Sequence, residues 1–330
     1  MPPRVLILAD DLTGAADCAA AFLGRAREVS VLLKPRARAR AEVVALDLDT
    51  RSKPEKSAQR IARRAFSGRT AKHAAILFKK IDSTLRGHVA AELAAASHAL
   101  GVRRTLLFSP AFPAQGRIVR DSRLVVNGKP SSGDLRALLP GIGARGFVCD
   151  ATTDSDLDRI ARAGLAMRPR PLFVGSAGLA RALAKALPAK RPAKRPATSR
   201  RPVVTVVGSA SPVSMRQARR LSRDRSALLV QMAWTREPQP GDIRAVRRLG
   251  KLVAQSVPQA HYVLTGGETA RAVLAARKIH ELRLLGEVEP GVPFGIARDG
   301  TLVCTKAGAF GGPDTLAKCV ARLKREMAKS

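Results

Sequence analysis

The run Ala9-Asp10-Asp11-Leu12-Thr13-Gly14-Ala15-Ala16-Asp17 sets two adjacent carboxylates at the end of an apolar segment, residues 5–8, and directly before a stretch of small residues that reads as a helix. A strand that delivers acidic side chains to a helix start is the arrangement at the ligand-binding edge of open α/β sheets. Thr13 can cap the first-turn N–H groups, Gly14 lets a ligand approach the backbone, and the alanines at 15, 16 and 19–21 continue the helix. The plainer reading is that Asp10 and Asp11 only complement the positive end of the helix dipole.

A second run of the same kind, Lys79-Lys80-Ile81-Asp82-Ser83-Thr84-Leu85-Arg86-Gly87, follows strand-like residues 75–78 and precedes helix-like residues 88–100. Arg86 offers a planar fork for a carboxylate and Lys80 a point charge. Ser83 and Thr84 carry hydroxyls that can meet those of a polyhydroxylated acid. A solvated charged loop is the alternative, because Lys and Arg are common throughout the chain.

Around these runs the first half alternates β-like segments (4–9, 29–33, 43–48, 75–78, 105–108, 147–149, 172–174) with alanine-rich helical ones (13–25, 54–66, 88–100, 154–164, 178–187). That alternation predicts parallel strands joined by crossover helices. Between 185 and 202 come four prolines and seven basic residues with no acidic one, which reads as an extended linker kept open by like charge. The pattern then restarts with strands 203–207, 227–231 and 262–264 and helices 213–222, 242–255 and 269–278. A strand-rich stretch, 282–304, and a terminal helix, 314–327, follow. The expected fold class is α/β: two α/β domains with largely parallel sheets and an interdomain cleft, covering 1–187 and 202–330 on either side of a basic Pro-rich linker, 188–201.

No Walker A sequence occurs, which disfavours a P-loop kinase. The GxGxxG match from Gly141 to Gly146 leads into a strand and not a helix, so it reads as a turn. Three turns in the second half are better placed. Thr265-Gly266-Gly267-Glu268-Thr269 follows a strand and opens a helix, where bare N–H groups and the helix dipole can meet a phosphate. Gly208-Ser209-Ala210-Ser211 occupies the equivalent place after 203–207. Lys306-Ala307-Gly308-Ala309-Phe310-Gly311-Gly312 supplies a cation among glycines. Each alone is a common tight turn; together they suggest a nucleotide site built on Ser209, Ser211, Gly266, Gly267, Glu268, Thr269, Lys306, Gly308 and Gly311. Glu268 would stabilise a first helical turn in any case, and with Glu287 and Glu289 it is a candidate to orient Mg²⁺ or a ribose. Mg²⁺ borrows phosphate oxygens and water, so no protein cage need be visible.

The formal net charge of +33, from 59 Lys and Arg against 26 Asp and Glu, calls for anionic partners. Only 3% of the chain is aromatic, which leaves little for stacking on single strands. The basic runs at 34–40 and 189–202 also lack zinc-finger spacing or an aromatic sheet motif. No specific nucleic-acid role is expected. The four cysteines form no CxxC pair, and reduced thiols in a cytoplasmic protein are expected. His88 and Glu92, one helical turn apart, read as a surface pair and not a metal site. The apolar run at 5–9 is too short for a signal peptide, and no stretch approaches the about 20 residues of a membrane span.

The ordered blocks ADDLTGAAD, KKIDSTLRG, SPAFPAQGR (109–117), GSAGLA (175–180), VVGSASP (206–212), TGGET and GEVEPGVPFG…KAGAFGG (286–312) resemble the four-carbon acid sugar kinase family over nearly the whole chain. The chain would be a compact member. The resemblance implies an N-terminal domain for a tetronate-like acid of threonate, erythronate or 3-oxo-tetronate type, and a C-terminal domain for ATP with Mg²⁺. The γ-phosphoryl would pass to a hydroxyl of the acid across the cleft. On that reading Asp11 or Asp82 orients and deprotonates the hydroxyl, and Arg86 with Lys80 holds the carboxylate. Asp10, Ser83, Thr84 and Arg117 complete the acid site, and closure about the linker excludes water.

The chain departs from the family pattern in shortened stretches near 128–141 and 234–250. Ala307 and Ala309 also stand where the family usually has Ser and Gly or Asn. A noncatalytic anion-binding protein on the same fold is the competing class, although such a protein gains nothing from carboxylates in its cleft. An NAD-dependent oxidoreductase is weaker, its fingerprint being misplaced. A homodimer is compatible with the kinase reading.

Overall fold

The computed structural model describes residues 2–34, 41–101, 104–139, 146–224, 226–234 and 242–328. The chain divides into two compact units, one formed by Met1–Val29 with Lys34–Pro192 and the other by Ser30–Leu33 with Ala193–Ser330. The GxGxxG turn at 141–146 and the basic run at 34–40 lie almost wholly outside the described residues.

The strands of the first half are β1 (Val5–Ala9), β2 (Val29–Leu32), β3 (Val43–Asp47), β4 (Ile76–Lys80), β5 (Leu106–Ser109), β6 (Arg117–Arg120), β7 (Arg123–Val126), β8 (Lys129–Asp134), β9 (Gly146–Val148) and β10 (Leu172–Gly175). The helices are α1 (Leu12–Ala20), α2 (Glu55–Ser67), α3 (Arg69–His73), α4 (Val89–Leu100), α5 (Asp154–Ala166) and α6 (Ala177–Lys185). Among the described residues of the first unit, a parallel sheet runs in the order β3-β1-β4-β10-β5-β9. Every residue of β1, β3 and β4 is buried, as parallel strands require when helices cover both faces. On α2 the buried residues Ala58, Ala62 and Phe66 recur every fourth position and form the face that packs on α4.

Strand β1 lies between β3 and β4, with Val5 opposite both Val43 and Ile76. The chain leaves β1 toward the β3 side and crosses from β3 to β4 on the other, so the carboxyl ends of β1, β3 and β4 border a topological switch point, where open sheets bind ligands. Strand β4 also extends through Lys80, two residues further than the sequence suggests. Alternation along a strand then sends Lys79 and Lys80 to opposite faces.

An antiparallel sheet β6-β7-β8 follows the short turn Pro113–Gln115. The sequence reading has no strands here. Its two turns are Asp121-Ser122, with φ of 51° and 57°, and Asn127-Gly128, with φ of 49° and 80°. Both central residues are left-handed in each, the conformation that two-residue hairpins need.

The second half holds β11 (Val203–Val207), β12 (Leu228–Gln231), β13 (His261–Thr265), β14 (Glu281–Glu287), β15 (Pro293–Ile296) and β16 (Leu302–Lys306), with helices α7 (Pro212–Leu221), α8 (Ile243–Ser256), α9 (Gly267–Ala276) and α10 (Thr315–Met327). Strands β12-β11-β13-β16 are parallel, and β15, β14 and β2 continue the sheet antiparallel. Leu32, Val31 and Ser30 pair with Glu281, Leu282 and Arg283, so a strand that sequence places in the first domain completes the second unit. Its core gathers Val207, Val263, Phe294, Leu302, Leu316 and Leu323.

Residues 188–202 form neither helix nor strand. Lys190 pairs with Glu42 at 2.9 Å and Arg195 with Glu326 at 2.6 Å. These cations tie the segment down locally, where the sequence suggests that they repel and hold it open.

Candidate active site

At the switch point of the first unit, Asp10 leaves the end of β1 and is only 4% exposed. Asp11 is the N-cap of α1, accepting hydrogen bonds from the Gly14 N–H at 3.1 Å and the Thr13 hydroxyl at 2.6 Å. It satisfies one of the orphan donors that every helix start carries. From the loop after β3, Arg51 reaches both acids: Nε lies 2.7 Å from Asp10 Oδ2 and Nη2 2.8 Å from Asp11 Oδ1. The same Nη2 lies 3.7 Å from Asp82 Oδ1.

The loop after β4 closes the other side. Asp82 accepts five hydrogen bonds, from the Thr84 N–H and hydroxyl and from the Arg86 N–H, Nε and Nη2. The Arg86 fork expected to meet a substrate carboxylate thus grips Asp82, leaving Nη1 with no bond to a described residue. Ser83 and Thr84 are half-buried on this turn. Gly87 has a φ of 91°, and a side chain there would press on Arg51 and Asp10. Lys80 is buried beneath the first turn of α1, so that a Cβ added at Gly14 would stand 2.8 Å from its Nζ. Arg117, at the start of β6, donates to the carbonyl of Gln115 and is close enough to Asp82 and Arg86 to feel both charges.

Burial alone would raise the Asp10 carboxyl, but Arg51 first, then Lys80 and Lys79, hold it below the usual carboxylate range. Asp82 is likewise pushed up by burial, then held well below that range by the Arg86 hydrogen bonds and the Arg51 charge. Burial would lower Lys80, yet Cys18, Asp10 and Asp11 raise it. Asp10 and Asp82 are therefore held as carboxylates and Lys80 as an ammonium, and the crevice sets three aspartates against Arg51, Lys80 and Arg86. Of the six carboxylate oxygens on Asp10, Asp11 and Asp82, only Asp10 Oδ1 is buried without a partner.

One sequence expectation changes here. Lys79 reaches the crevice only through its charge on Asp10: its ammonium pairs with Glu92 at 2.6 Å, with side chains 1% and 2% exposed. Glu92 is therefore a core residue and not a surface partner of His88, whose Nε2 sits 2.6 Å from the Lys53 carbonyl oxygen. Arg51 went unread because nothing in its surroundings, Asp49-Thr50-Arg51-Ser52, marks it until β3 is placed beside β1.

In the second unit the three glycine turns converge. Gly266 (φ 96°) donates its N–H to the Lys306 carbonyl at 2.9 Å, and a Cβ added to it would lie 3.5 Å from Ser209. A Cβ on Gly308 would collide with the Ser209 hydroxyl, and one on Gly208 with the Thr269 hydroxyl. Ser209 Oγ also accepts from the Ser211 N–H at 3.2 Å. Helix α9 begins at Gly267 with no side-chain cap, so its first N–H groups are available to an anion. Glu268, in that turn, pairs with Arg247 at 2.9 Å.

Lys306 departs from expectation. Its ammonium is turned inward to the Ser214 hydroxyl and the carbonyls of Ala307, Gly308 and Phe310, and burial lowers its pKa to about 8. It shapes the 306–312 loop together with Gln217, which donates to the carbonyls of Phe310, Gly311 and Gly312. Glu287 accepts from the Gly291 N–H, and Glu289 from Thr315 and Lys318.

The described residues contain no helix long and apolar enough to cross a membrane and no cluster of three or more His, Cys, Asp or Glu suited to a metal. Family models for a sugar-binding N-terminal domain match residues 5–134 and 133–183, and one for a nucleotide-binding C-terminal domain matches residues 234–316. A D-threonate kinase of Cupriavidus necator is 36% identical over 94% of this chain and 96% of its own. A 3-oxo-tetronate kinase of Pseudomonas fluorescens is 26% identical over 97% and 98%. Among solved structures, a Haemophilus influenzae protein superposes with a TM-score of 0.72 at 17% identity, covering 96% of this chain and 99% of that one. A Bordetella bronchiseptica protein, solved as a domain-swapped dimer with bound citrate, gives 0.51 at 29% identity over 97% and 98%.

The chain is a sugar-acid kinase of two α/β units. It belongs to the four-carbon acid sugar kinase family.

Proposed function

We propose that the switch-point crevice binds the four-carbon acid and that the convergent turns of the second unit bind ATP with Mg²⁺. The acceptor half rests chiefly on Asp10 Oδ1, a buried carboxylate oxygen with no partner among the described residues, beside five carboxylate oxygens of Asp10, Asp11 and Asp82 that are all bonded. A buried acceptor without a donor is costly, and a substrate hydroxyl would satisfy it. Arg86 through its unused Nη1, with Lys80 and Arg117 behind it, supplies charge for the acid's carboxylate, and Ser83 and Thr84 face its hydroxyls.

Of the two aspartates considered as base, Asp82 is the poorer proton acceptor, held by five hydrogen bonds and pushed far down. Asp11 is therefore assigned to orient and deprotonate the attacking hydroxyl, and Asp82 to anchor Arg86. On the donor side the N–H groups of Gly267 and Thr269 and the turns at Gly266, Ser209, Ser211, Gly308 and Gly311 cradle phosphates, while Lys306 holds the last turn in shape. Glu268 is the carboxylate best placed to meet Mg²⁺, which would neutralise charge on the phosphates when bound. Phosphoryl transfer then asks mainly for positioning and charge balance. A cytoplasmic enzyme and a homodimer, as in the Bordetella relative, complete the proposal.

ATP with Mg²⁺ at 100 times its Kd should stabilise the folded protein by about 2.7 kcal/mol, read as a rise in Tm. Gly267→Val should remove the shift by filling the phosphate's approach at the helix start. Sulfate at matched ionic strength is the control for generic anion binding. The absence of any nucleotide-specific shift, or a variant that binds as well as wild type, would overturn the placement.

A further inference from the structure

Among the described residues, Arg51 is the one cation paired with all three acids of the crevice. The acids come from two strand ends, Asp10 and Asp11 from β1 and Asp82 from β4, and Arg51 comes from a third. Its own N–H is bonded to the Asp10 carbonyl at 3.2 Å and the N–H of Thr50 to the same oxygen at 3.0 Å, so its backbone is fixed to the end of β1. Gly87 lies against its side chain, which is 23% exposed. The guanidinium thus has one conformation in which Nε and Nη2 address different carboxylates, a geometry that a lysine point charge cannot reproduce.

We propose that Arg51 is the positioning residue of the acceptor site, holding Asp10, Asp11 and Asp82 at fixed spacing so that one oxygen, Asp10 Oδ1, is left for the substrate. This rests on the kinase reading of the crevice. Without Arg51, three carboxylates on adjacent strand ends would repel one another, and protonation would relieve the repulsion. The other charged or titratable groups facing the cluster are Lys79 and Lys80 from β4, Arg86 from its loop, Cys18 and Asp17 from α1, Arg181 from α6 and Arg117 from β6. Lys80 and Arg86 remain in the variants below, so the aspartates keep partial compensation.

The test compares wild type, Arg51→Gln and Arg51→Lys by two readouts: kcat and KM against pH with D-threonate and ATP, and carbon NMR titration of the aspartate carboxyls in the free protein. In Arg51→Gln the Asp10 and Asp11 titrations should move up by about 1–3 pH units, because both acids have lost their ion pair with Arg51, and Asp82 should move less because Arg86 still grips it. The acid limb of the rate profile should move to higher pH with them. At the plateau kcat should fall about 10²-fold through misplacement of the acids, with KM for ATP unchanged. Arg51→Lys should restore the titrations toward wild type while kcat stays low, because charge returns without the fork.

Wild-type titrations in Arg51→Gln, or wild-type kcat in Arg51→Lys, would overturn the proposal. Should Arg51→Gln fail to fold, the Arg51→Lys split between restored titration and lost turnover decides it. The NMR readout needs no activity, so it distinguishes an error about Arg51 from an error about the reaction.

Discussion

Asp11→Asn should lower kcat about 10²–10⁴-fold while leaving Tm nearly unchanged. The two effects separate because Asp11 has a structural and a chemical role. As the N-cap of α1 it accepts from the Gly14 N–H, and asparagine caps a helix as well as aspartate does. As an ion beside Arg51 it carries the charge and proton affinity that an attacking hydroxyl requires, and asparagine has neither. Steady-state rates and thermal melts on one preparation check this. A variant that melts like wild type and turns over at the wild-type rate would remove Asp11 from the chemistry; a variant that melts far lower would show that the Arg51 pair, not the cap, holds the helix start.

Glu92→Gln should act in the opposite sense, on stability first. The Lys79–Glu92 pair is almost wholly inaccessible, and removing one partner leaves a charge buried without compensation, at a cost of about 3–5 kcal/mol. Denaturant unfolding should show a lower midpoint at an unchanged slope. The double variant Lys79→Met with Glu92→Leu should recover much of the loss, since replacing both ions by apolar groups of similar size is often neutral or better. A Glu92→Gln midpoint close to wild type would mean that water reaches the pair and that the core at α4 is looser than its burial indicates.

Much of the crevice was legible because its residues sit where hydrophobic pattern and helix-start chemistry meet. Asp10, Asp11, Lys80, Asp82, Thr84 and Arg86 are all delivered by a strand end followed by a turn, and the structure brings them together. Arg51 was hidden by composition, since one arginine among 59 basic residues has no contrast. Its role depends on β3 lying beside β1, which is a property of strand order. Glu92 reads as a surface residue because charge usually marks solvent, and its partner Lys79 lies beyond the expected strand; extending β4 by two residues turns Lys79 inward by simple alternation.

The hairpins of β6, β7 and β8 were missed for a different reason. Their strands are short, bury only Val119 and Leu124 and lack an apolar period, and the one strong signal, Asn127-Gly128, is a turn signal and not a strand signal. In the second unit the turns were placed from their glycines, but the inward course of Lys306 follows from carbonyls that face it only once the 306–312 loop is folded.

The most direct measurement is phosphorus NMR of the purified chain with ATP, Mg²⁺ and one four-carbon acid at a time, D-threonate, D-erythronate and a 3-oxo-tetronate. At least one acid should give a new phosphate monoester signal growing in step with ADP, and neither product should form at that rate without the acid. A folded protein that releases ADP at the same rate with and without every acid, or releases none, would contradict the kinase reading.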